Sequence, residues 1–286
     1  MRFGLIANLK RVGAKEAIQS FVAWADKNKH ELILCDDLEG ELPEYPRLCS
    51  GPQLAANVDI LVSMGGDGTL LASARSVGAV GTPLLGINLG SLGFLTQQTP
   101  QQLFSALDAI VAGNYKIEER MLLKAEVQGD NQPSTPFALN DVVIDNGPVS
   151  RVLRINLRVN GEDVVTYIAD GLILATPTGS TAYSLAVGGP IVTPGMDAII
   201  AAPIAAFSLT TRPMIFSGDD VLEAIVGTEG RPANLTLDGQ VNVELKDHHT
   251  VRISRADFRA RFVVFAENSY YKLLRSKLSW GLPPGS

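Results

Sequence analysis

Metal-ligating and disulfide-forming residues are scarce. The 286 residues hold two cysteines, Cys35 and Cys49, and three histidines, His30, His248 and His249. That excludes a disulfide scaffold and a cysteine-based zinc site, and the histidines lack the spacing of a metal set. Basic residues are outnumbered, 24 against 30 acidic, for a net charge of −6. Sequence-independent nucleic-acid binding and polybasic attachment to anionic lipid both need the opposite balance. No long hydrophobic run occurs. The most apolar stretch, Ala198 to Leu209, is interrupted by Pro203, and a membrane-spanning helix needs about 20 residues. The opening MRFGLIANLKRVG has neither the apolar length nor the small-residue cleavage site of a signal peptide. The chain reads as cytoplasmic, with no nucleic-acid or membrane partner. Charged residues reach only 19%, below the roughly 25% of an average soluble protein, so much of the chain is expected inside cores or subunit contacts.

The remaining 46% of hydrophobic residues is enough for about two domains at this length. In the first third, short apolar runs at Phe3–Ala7, Glu31–Cys35, Val58–Met64 and Pro83–Ile87 alternate with helical spacing at Lys15–Lys27, after Thr69, and at Gln101–Val111. Such alternation predicts βαβ units and a mainly parallel sheet. From about Met121 the texture changes. Leu153, Ile155, Leu157 and Val159 alternate with Arg154, Asn156 and Arg158, the period of a half-solvated antiparallel strand. Further strands are expected at 164–167, 172–175, 222–226, 235–237, 251–253 and 262–265, with hairpin turns at Asn160-Gly161 and Asp238-Gly239. The fold class expected is an α/β domain over 1–118 and a β-rich, sandwich-like domain over 119–265, with the active site in the cleft between them. A helical segment over 266–286 is expected to pack back on the first domain.

Two segments carry chemistry. Gly65-Gly66-Asp67-Gly68-Thr69 follows a buried-strand pattern and opens a helix. Its glycines let backbone approach a ligand closely, and its N–H groups with the helix N-terminus suit phosphate. A tight turn with a capping aspartate would read the same way. No Gly-Lys-Ser/Thr follows, so it is not a Walker A loop, nor is it GxGxxG. The second, from Asp170-Gly171 through Thr176-Pro177-Thr178-Gly179-Ser180-Thr181-Ala182-Tyr183-Ser184, has six hydroxyl side chains in nine residues. Small hydroxyls can line phosphate and ribose oxygens, and Tyr183 offers a face for a heterocycle. Asn140-Asp141 before an apolar strand and Asp238-Gly239-Gln240 are each also ordinary turn chemistry. Together the four segments place polar groups at strand ends, where α/β clefts hold ligands.

These motifs, in this order, resemble the NAD kinases. GGDGTLL, the LND pair, DG followed by TPTGSTAYS and GGPI, and the later DGQ carry the likeness, which extends from about residue 58 to 280. GGDGT alone is shared with lipid kinases of the diacylglycerol and sphingosine type, whereas TPTGSTAYS is specific. The resemblance implies transfer of the γ-phosphoryl of ATP to the 2′-hydroxyl of the NAD adenosine ribose, with Mg²⁺ or another divalent cation on the ATP phosphates. It implies that Asp67 is the catalytic base and that Gly65, Gly66, Gly68 and Thr69 form the phosphate loop. NAD would be bound by Asp67, Gly68, Asn140, Asp141, Arg151, Asp170, Thr181, Ala182, Tyr183, Ser184, Leu185, Ala186 and Gln240. Because a free aspartate is a weak base near neutral pH, the proton should move late, with Asp67 chiefly orienting the nucleophile. Family members are commonly homodimers or homotetramers, and the apolar 198–209 stretch suits either a subunit interface or a core helix.

Three positions depart from the family pattern. Asp141 stands where glutamate is more usual, Ile168 where some members have arginine, and Phe207 where many have histidine. Phe207 is expected to be a core residue. Two alternative readings follow from the same motifs: a lipid kinase, which needs an apolar or membrane-facing surface, and a dinucleotide-binding regulatory protein that has lost catalysis.

Overall fold

A computed structural model describes residues 1–38, 48–90, 93–96, 98–128, 132–147, 152–266 and 269–280. The chain divides into two compact units, residues 1–118 with 261–286, and residues 119–260.

In the first unit the order is β1 (Arg2–Ala7), α1 (Ala14–Lys27), β2 (Glu31–Cys35), β3 (Leu48–Cys49), α2 (Gly51–Asn57), β4 (Ile60–Gly65), α3 (Asp67–Val77), β5 (Leu84–Asn88) and α4 (Leu103–Val111). The strands form a parallel sheet in the order β5-β4-β1-β2-β3. β4 is buried along its whole length and runs Ile-Leu-Val-Ser-Met-Gly, the continuous apolar texture of a sheet covered on both faces. Helix α1 buries Ala14, Ala17, Ile18, Phe21, Trp24 and Ala25, a stripe at helical spacing. Phe3 of β1 meets Phe21 and Trp24 edge-on, at centroid distances of 5.9 and 5.7 Å. Trp24 donates its indole N–H to Asp108 of α4 at 3.0 Å, so the polar edge of this buried ring is satisfied. The chain runs from β1 to β2 on one side and returns to place β4 on the other side of β1. The sheet therefore has its topological switch point between β1 and β4.

Among the described residues of the second unit, the strands of both sheets pair antiparallel, with short helical turns at Gly179–Thr181 and Tyr183–Ala186. Its elements are β6 (Lys116–Val127, beginning in the first unit), β7 (Phe137–Ala138), β8 (Asp141–Asp145), β9 (Leu153–Val159), β10 (Glu162–Ala169), β11 (Gly171–Ala175), α5 (Tyr183–Ala186), β12 (Ala198–Ile204), β13 (Met214–Ser217), β14 (Leu222–Gly227), β15 (Ala233–Leu237), β16 (Val241–Leu245) and β17 (His249–Val264). One sheet runs β10-β9-β14-β17 and the other β13-β12-β11-β8-β15-β16. Alternate residues of both face a single apolar core that includes Val142, Ile144, Ile155, Leu157, Leu172, Leu174, Leu235 and Ile253. The last strand ends in the first unit, where Phe262 pairs in parallel with Leu84, and helix α6 (Tyr270–Leu278) follows. In that unit the Lys277 ammonium lies 5.9 Å from the Phe94 ring centroid.

Three local expectations are corrected. The apolar stretch from Ala198 is a buried sheet strand, β12, and not a core helix. The segments 251–253 and 262–265 are not separate strands: both lie on one 16-residue strand, β17, apart from Phe265, which follows its end. Phe207 is no core residue: 79% of its surface is exposed, because it follows the end of β12 in a turn whose Phe207 N–H donates to the Ile168 carbonyl at 2.8 Å. Among the described residues no helix is long and apolar enough to cross a membrane.

Candidate active site

Asp67 is the first residue of α3, directly after the carboxyl end of β4, with extended Gly66 as its N-cap. Its carboxylate does not cap its own helix. Instead it accepts four hydrogen bonds from the segment after β5: Phe94 N–H to Oδ2 at 2.8 Å, and Leu95 N–H, Thr96 N–H and Thr96 Oγ1 to Oδ1 at 3.2, 3.0 and 2.9 Å. Oδ1 is saturated, whereas Oδ2 keeps acceptor capacity. The wrap is possible because residue 93 is glycine, where a methyl group would lie 1.9 Å from Asp67 Oδ1. A methyl on Gly65 would likewise lie 2.2 Å from Thr69 Oγ1, so this glycine allows the first turn of α3 to close against β4. Asn88, at the end of β5, supports the same segment by donating its amide to Thr96 Oγ1 at 2.6 Å and accepting from Gly90 N–H at 2.7 Å. Gly68 is exposed at the mouth of this turn.

In the second unit the start of β8 lies beside the end of β11, with Asp141 opposite Ala175. Asp238 occupies the β15–β16 turn, where both it and Gly239 adopt positive φ (50° and 65°). Its carboxylate accepts Leu139, Asn140 and Asp141 N–H groups at 3.0, 2.7 and 3.2 Å. The first residue of the DGQ turn is therefore a brace for the LND segment, and the sequence reading, which weighed Gln240, missed that role. Asp141 is only 6% exposed. Burial first and the neighbouring Asp238 charge second push its carboxyl up to about 7. The Asn140 side chain is half-buried.

Most hydroxyls of the TPTGSTAYS loop serve the loop itself. Thr176 Oγ1 donates to the Leu139 carbonyl at 2.6 Å and accepts from Gly179 N–H at 3.0 Å. Ser180 Oγ donates to Pro177 O at 2.6 Å and accepts from Val192 N–H at 3.1 Å, and Thr178 Oγ1 accepts from Arg120 Nη1 at 3.4 Å. Ser184 is buried, and a methyl on Gly189 would touch its hydroxyl at 2.2 Å. Gly179 packs so closely that a methyl there would lie 2.0 Å from the Asn140 carbonyl oxygen. The loop is locked onto the LND segment. What it leaves outward is Tyr183, 45% exposed, with exposed Ala186 and half-buried Thr181, Ala182 and Leu185 around it. Gln240 is exposed in the neighbouring turn.

Asp170 is not in this group. It precedes β11, and Gly171 pairs with Asp145 at the far end of β8, so the length of a five-residue strand, roughly 13 Å, separates it from the Asn140 end. Arg151 lies outside the described residues.

Comparison with known proteins accords with both units. Residues 3–115 match the model of the ATP-NAD kinase N-terminal domain, and residues 139–265 that of the C-terminal domain. An NAD kinase of Moorella thermoacetica is 39% identical over 280 residues, covering 98% of this chain and 90% of that protein. The chain belongs to the ATP-NAD kinase family. Another member, the NAD kinase of Geobacter metallireducens, is 43% identical over 231 residues, covering 80% of this chain and 81% of its own length. Among solved structures, an NAD kinase of Archaeoglobus fulgidus in complex with ATP has a TM-score of 0.79 and 25% identity, covering 98% of this chain and 99% of that one. A yeast NADH kinase complexed with NADH superposes with a TM-score of 0.90 at 24% identity over 99% of this chain and 89% of that chain, which bears on the fold. The family thus has the two-domain arrangement of an α/β unit with a mostly parallel sheet and an antiparallel β-rich unit.

Proposed function

We propose that this chain transfers the γ-phosphoryl group of ATP to the 2′-hydroxyl of the adenosine ribose of NAD, giving NADP and ADP, with Asp67 receiving the hydroxyl proton. It is a phosphotransferase with an alcohol acceptor, as its family is. The observation that carries the residue assignment is the state of Asp67. Four donors fix the carboxylate, three on Oδ1 and one on Oδ2, so Oδ2 is the oxygen with acceptor capacity left for a substrate hydroxyl. The ribose O–H would donate to Oδ2, the ribose oxygen would attack the γ-phosphorus, and the bond to the β-phosphate oxygen would break as ADP leaves. Holding the nucleophile in line is the larger contribution, since phosphoryl transfer is mostly positioning and charge stabilisation. Gly65, Gly66, Gly68 and Thr69 would present the phosphate-facing turn. Asn140 and Asp141 would contact NAD, Tyr183 would stack on a heterocycle within the 181–186 lining, and Gln240 would add a polar contact. Asp170 and Arg151 are assigned to the dinucleotide by resemblance alone.

Magnesium, or another divalent cation, fits as a ligand of the ATP phosphates. Among the described residues the one trio of side chains that could hold a metal is Cys35, Asp36 and Asp37, after β2 and not at the Asp67 turn. Bound to the phosphates, the cation would offset charge that an acidic protein does not. Two further readings concern setting. The thiols of Cys35 and Cys49 are free although their strands place them in register, in keeping with a reducing cytoplasm. Phe207 and Leu209, 79% and 89% exposed, adjoin the edge strand β13, whose Met214 and Ile215 are 38% and 53% exposed. Such an edge suits a second copy of the chain, as in a homodimer or homotetramer.

The test is NADP formation by the purified protein given NAD, ATP and Mg²⁺, beside Asp67→Asn, with a melting curve for each. Wild-type turnover with a loss of about 10²–10⁴-fold in the variant supports the reading. NAD binding without any NADP would leave a binding protein and refute it.

A further inference from the structure

Arg11 lies between β1 and α1 and has no part in the motifs above. Its backbone is fixed on both sides: Arg11 N–H donates to Asn8 O at 3.1 Å, Ala14 N–H to Arg11 O at 3.2 Å, and Asn8 N–H to Met64 O of β4 at 2.9 Å. Lys10 N–H closes the turn onto Asn8 Oδ1 at 3.0 Å. The side chain then reaches across the ends of two neighbouring strands. A methyl on Gly66 would lie 3.4 Å from Arg11 Nη2, and one on Gly90 would lie 3.7 Å from Nη1. Those glycines follow β4 and β5, so three loops at the carboxyl ends of β1, β4 and β5 converge under one guanidinium. This is also the switch point of the sheet, where open α/β folds bind ligands.

No hydrogen bond or ion pair reaches that guanidinium among the described residues, and Asp67, on the same turn as Gly66, is engaged by four other donors. An exposed arginine usually just solvates its charge. Here it is held over two positions where the absence of a side chain leaves room for an anion, beside the N-terminal end of α3, whose dipole also favours negative charge. Its planar fork suits two phosphate oxygens at once.

We propose that Arg11 binds the phosphate chain of ATP, supplying the cation that the glycine turn lacks. The proposal rests on the kinase reading for its choice of ligand. The triphosphate, more highly charged than the diphosphate bridge of NAD, has the greater need of a protein cation.

The experiment measures Mg·ATP and NAD affinities separately by calorimetry on the full chain, for wild type, Arg11→Met and Arg11→Lys, together with steady-state rates. Arg11→Met should weaken ATP binding about 10- to 100-fold, the worth of a charged hydrogen bond or two, and leave NAD within two-fold. Arg11→Lys should fall between, keeping charge but losing the fork. Since the side chain holds nothing else in place, melting temperatures should match. Unchanged ATP affinity, an equal loss for both ligands, or a loss confined to NAD would each overturn the proposal. A wild type that binds ATP but forms no NADP would refute the kinase reading instead, with the Arg11 binding comparison still decisive.

Discussion

Replacing Asp141 by asparagine should remove a pH-dependent penalty from the folded state. The side chain is 6% exposed, and Asp238, whose carboxylate is aimed at the same stretch of backbone, stands beside it. Its carboxyl is pushed up from 3.8 to about 7. The unfolded chain releases this proton near the lower value and the folded chain near the higher one. Between them the folded state binds more protons, so stability falls as pH rises through this window and levels off above it. A shift of that size corresponds to about 4 kcal/mol at pH 8, an upper bound that relaxation of the site would reduce. Asparagine keeps the shape of the protonated acid and does not titrate. Urea midpoints of wild type and Asp141→Asn should therefore converge below the unfolded value, near pH 3, and separate progressively towards pH 8, the variant becoming the more stable. Parallel profiles across that range would refute the reasoning. On the proposed contact of Asp141 with NAD, the wild-type Michaelis constant for NAD should show a step near neutral pH, where this carboxyl changes charge, and the variant should lose it.

Other perturbations test the packing around each carboxylate. Gly93→Ala places a methyl where Asp67 Oδ1 stands and should cost about 2–4 kcal/mol of stability with at least a hundred-fold loss of NADP formation; a variant with wild-type melting and rate would show that the 94–96 segment moves freely. Gly179→Ala drives a methyl against the Asn140 carbonyl and should weaken NAD binding more than ATP binding, read by calorimetry with each ligand. Tyr167 is 2% exposed in the apolar core, and its hydroxyl has no partner among the described residues. Tyr167→Phe should therefore be neutral or stabilising by about 1 kcal/mol in denaturant titration, and a clear destabilisation would reveal a partner for that oxygen.

The parallel sheet was legible in the sequence because its strands are continuous apolar runs between helical spacings. Strand β17 was not, because its middle, Ser254 to Arg261, carries Arg255, Asp257, Arg259 and Arg261. Only small residues, Ala256 and Ala260, are buried there, and Arg255 and Arg259 spend their charge on Asp197, with Arg255 2.8 Å from its carboxylate. Strand β6 opens Lys-Ile-Glu-Glu-Arg and hides for the same reason. The glycine turn and the hydroxyl loop were legible as chemistry, but their hydroxyls read as ligand groups when most are internal braces. Composition cannot tell a hydroxyl that faces a ligand from one that closes its own loop. Arg11 left no signal of its own, since its neighbours are Gly66 and Gly90, distant in sequence and brought together only by strand order.

Both units use one device, with opposite results. In each, an aspartate after a strand gathers the N–H groups of a second segment: Asp67 holds residues 94–96, and Asp238 holds 139–141. Close glycine packing accompanies both, through Gly93 against Asp67 and Gly179 against Asn140. Hydrogen bonding alone would therefore call both structural. Exposure separates them. Asp238 is 8% exposed, and its charge helps raise the carboxyl of Asp141. Asp67 is half-buried, one oxygen saturated and the other with room for a hydroxyl. A carboxylate so held would lose little orientational freedom to a hydroxyl donating to Oδ2, which is what the proposed positioning role requires.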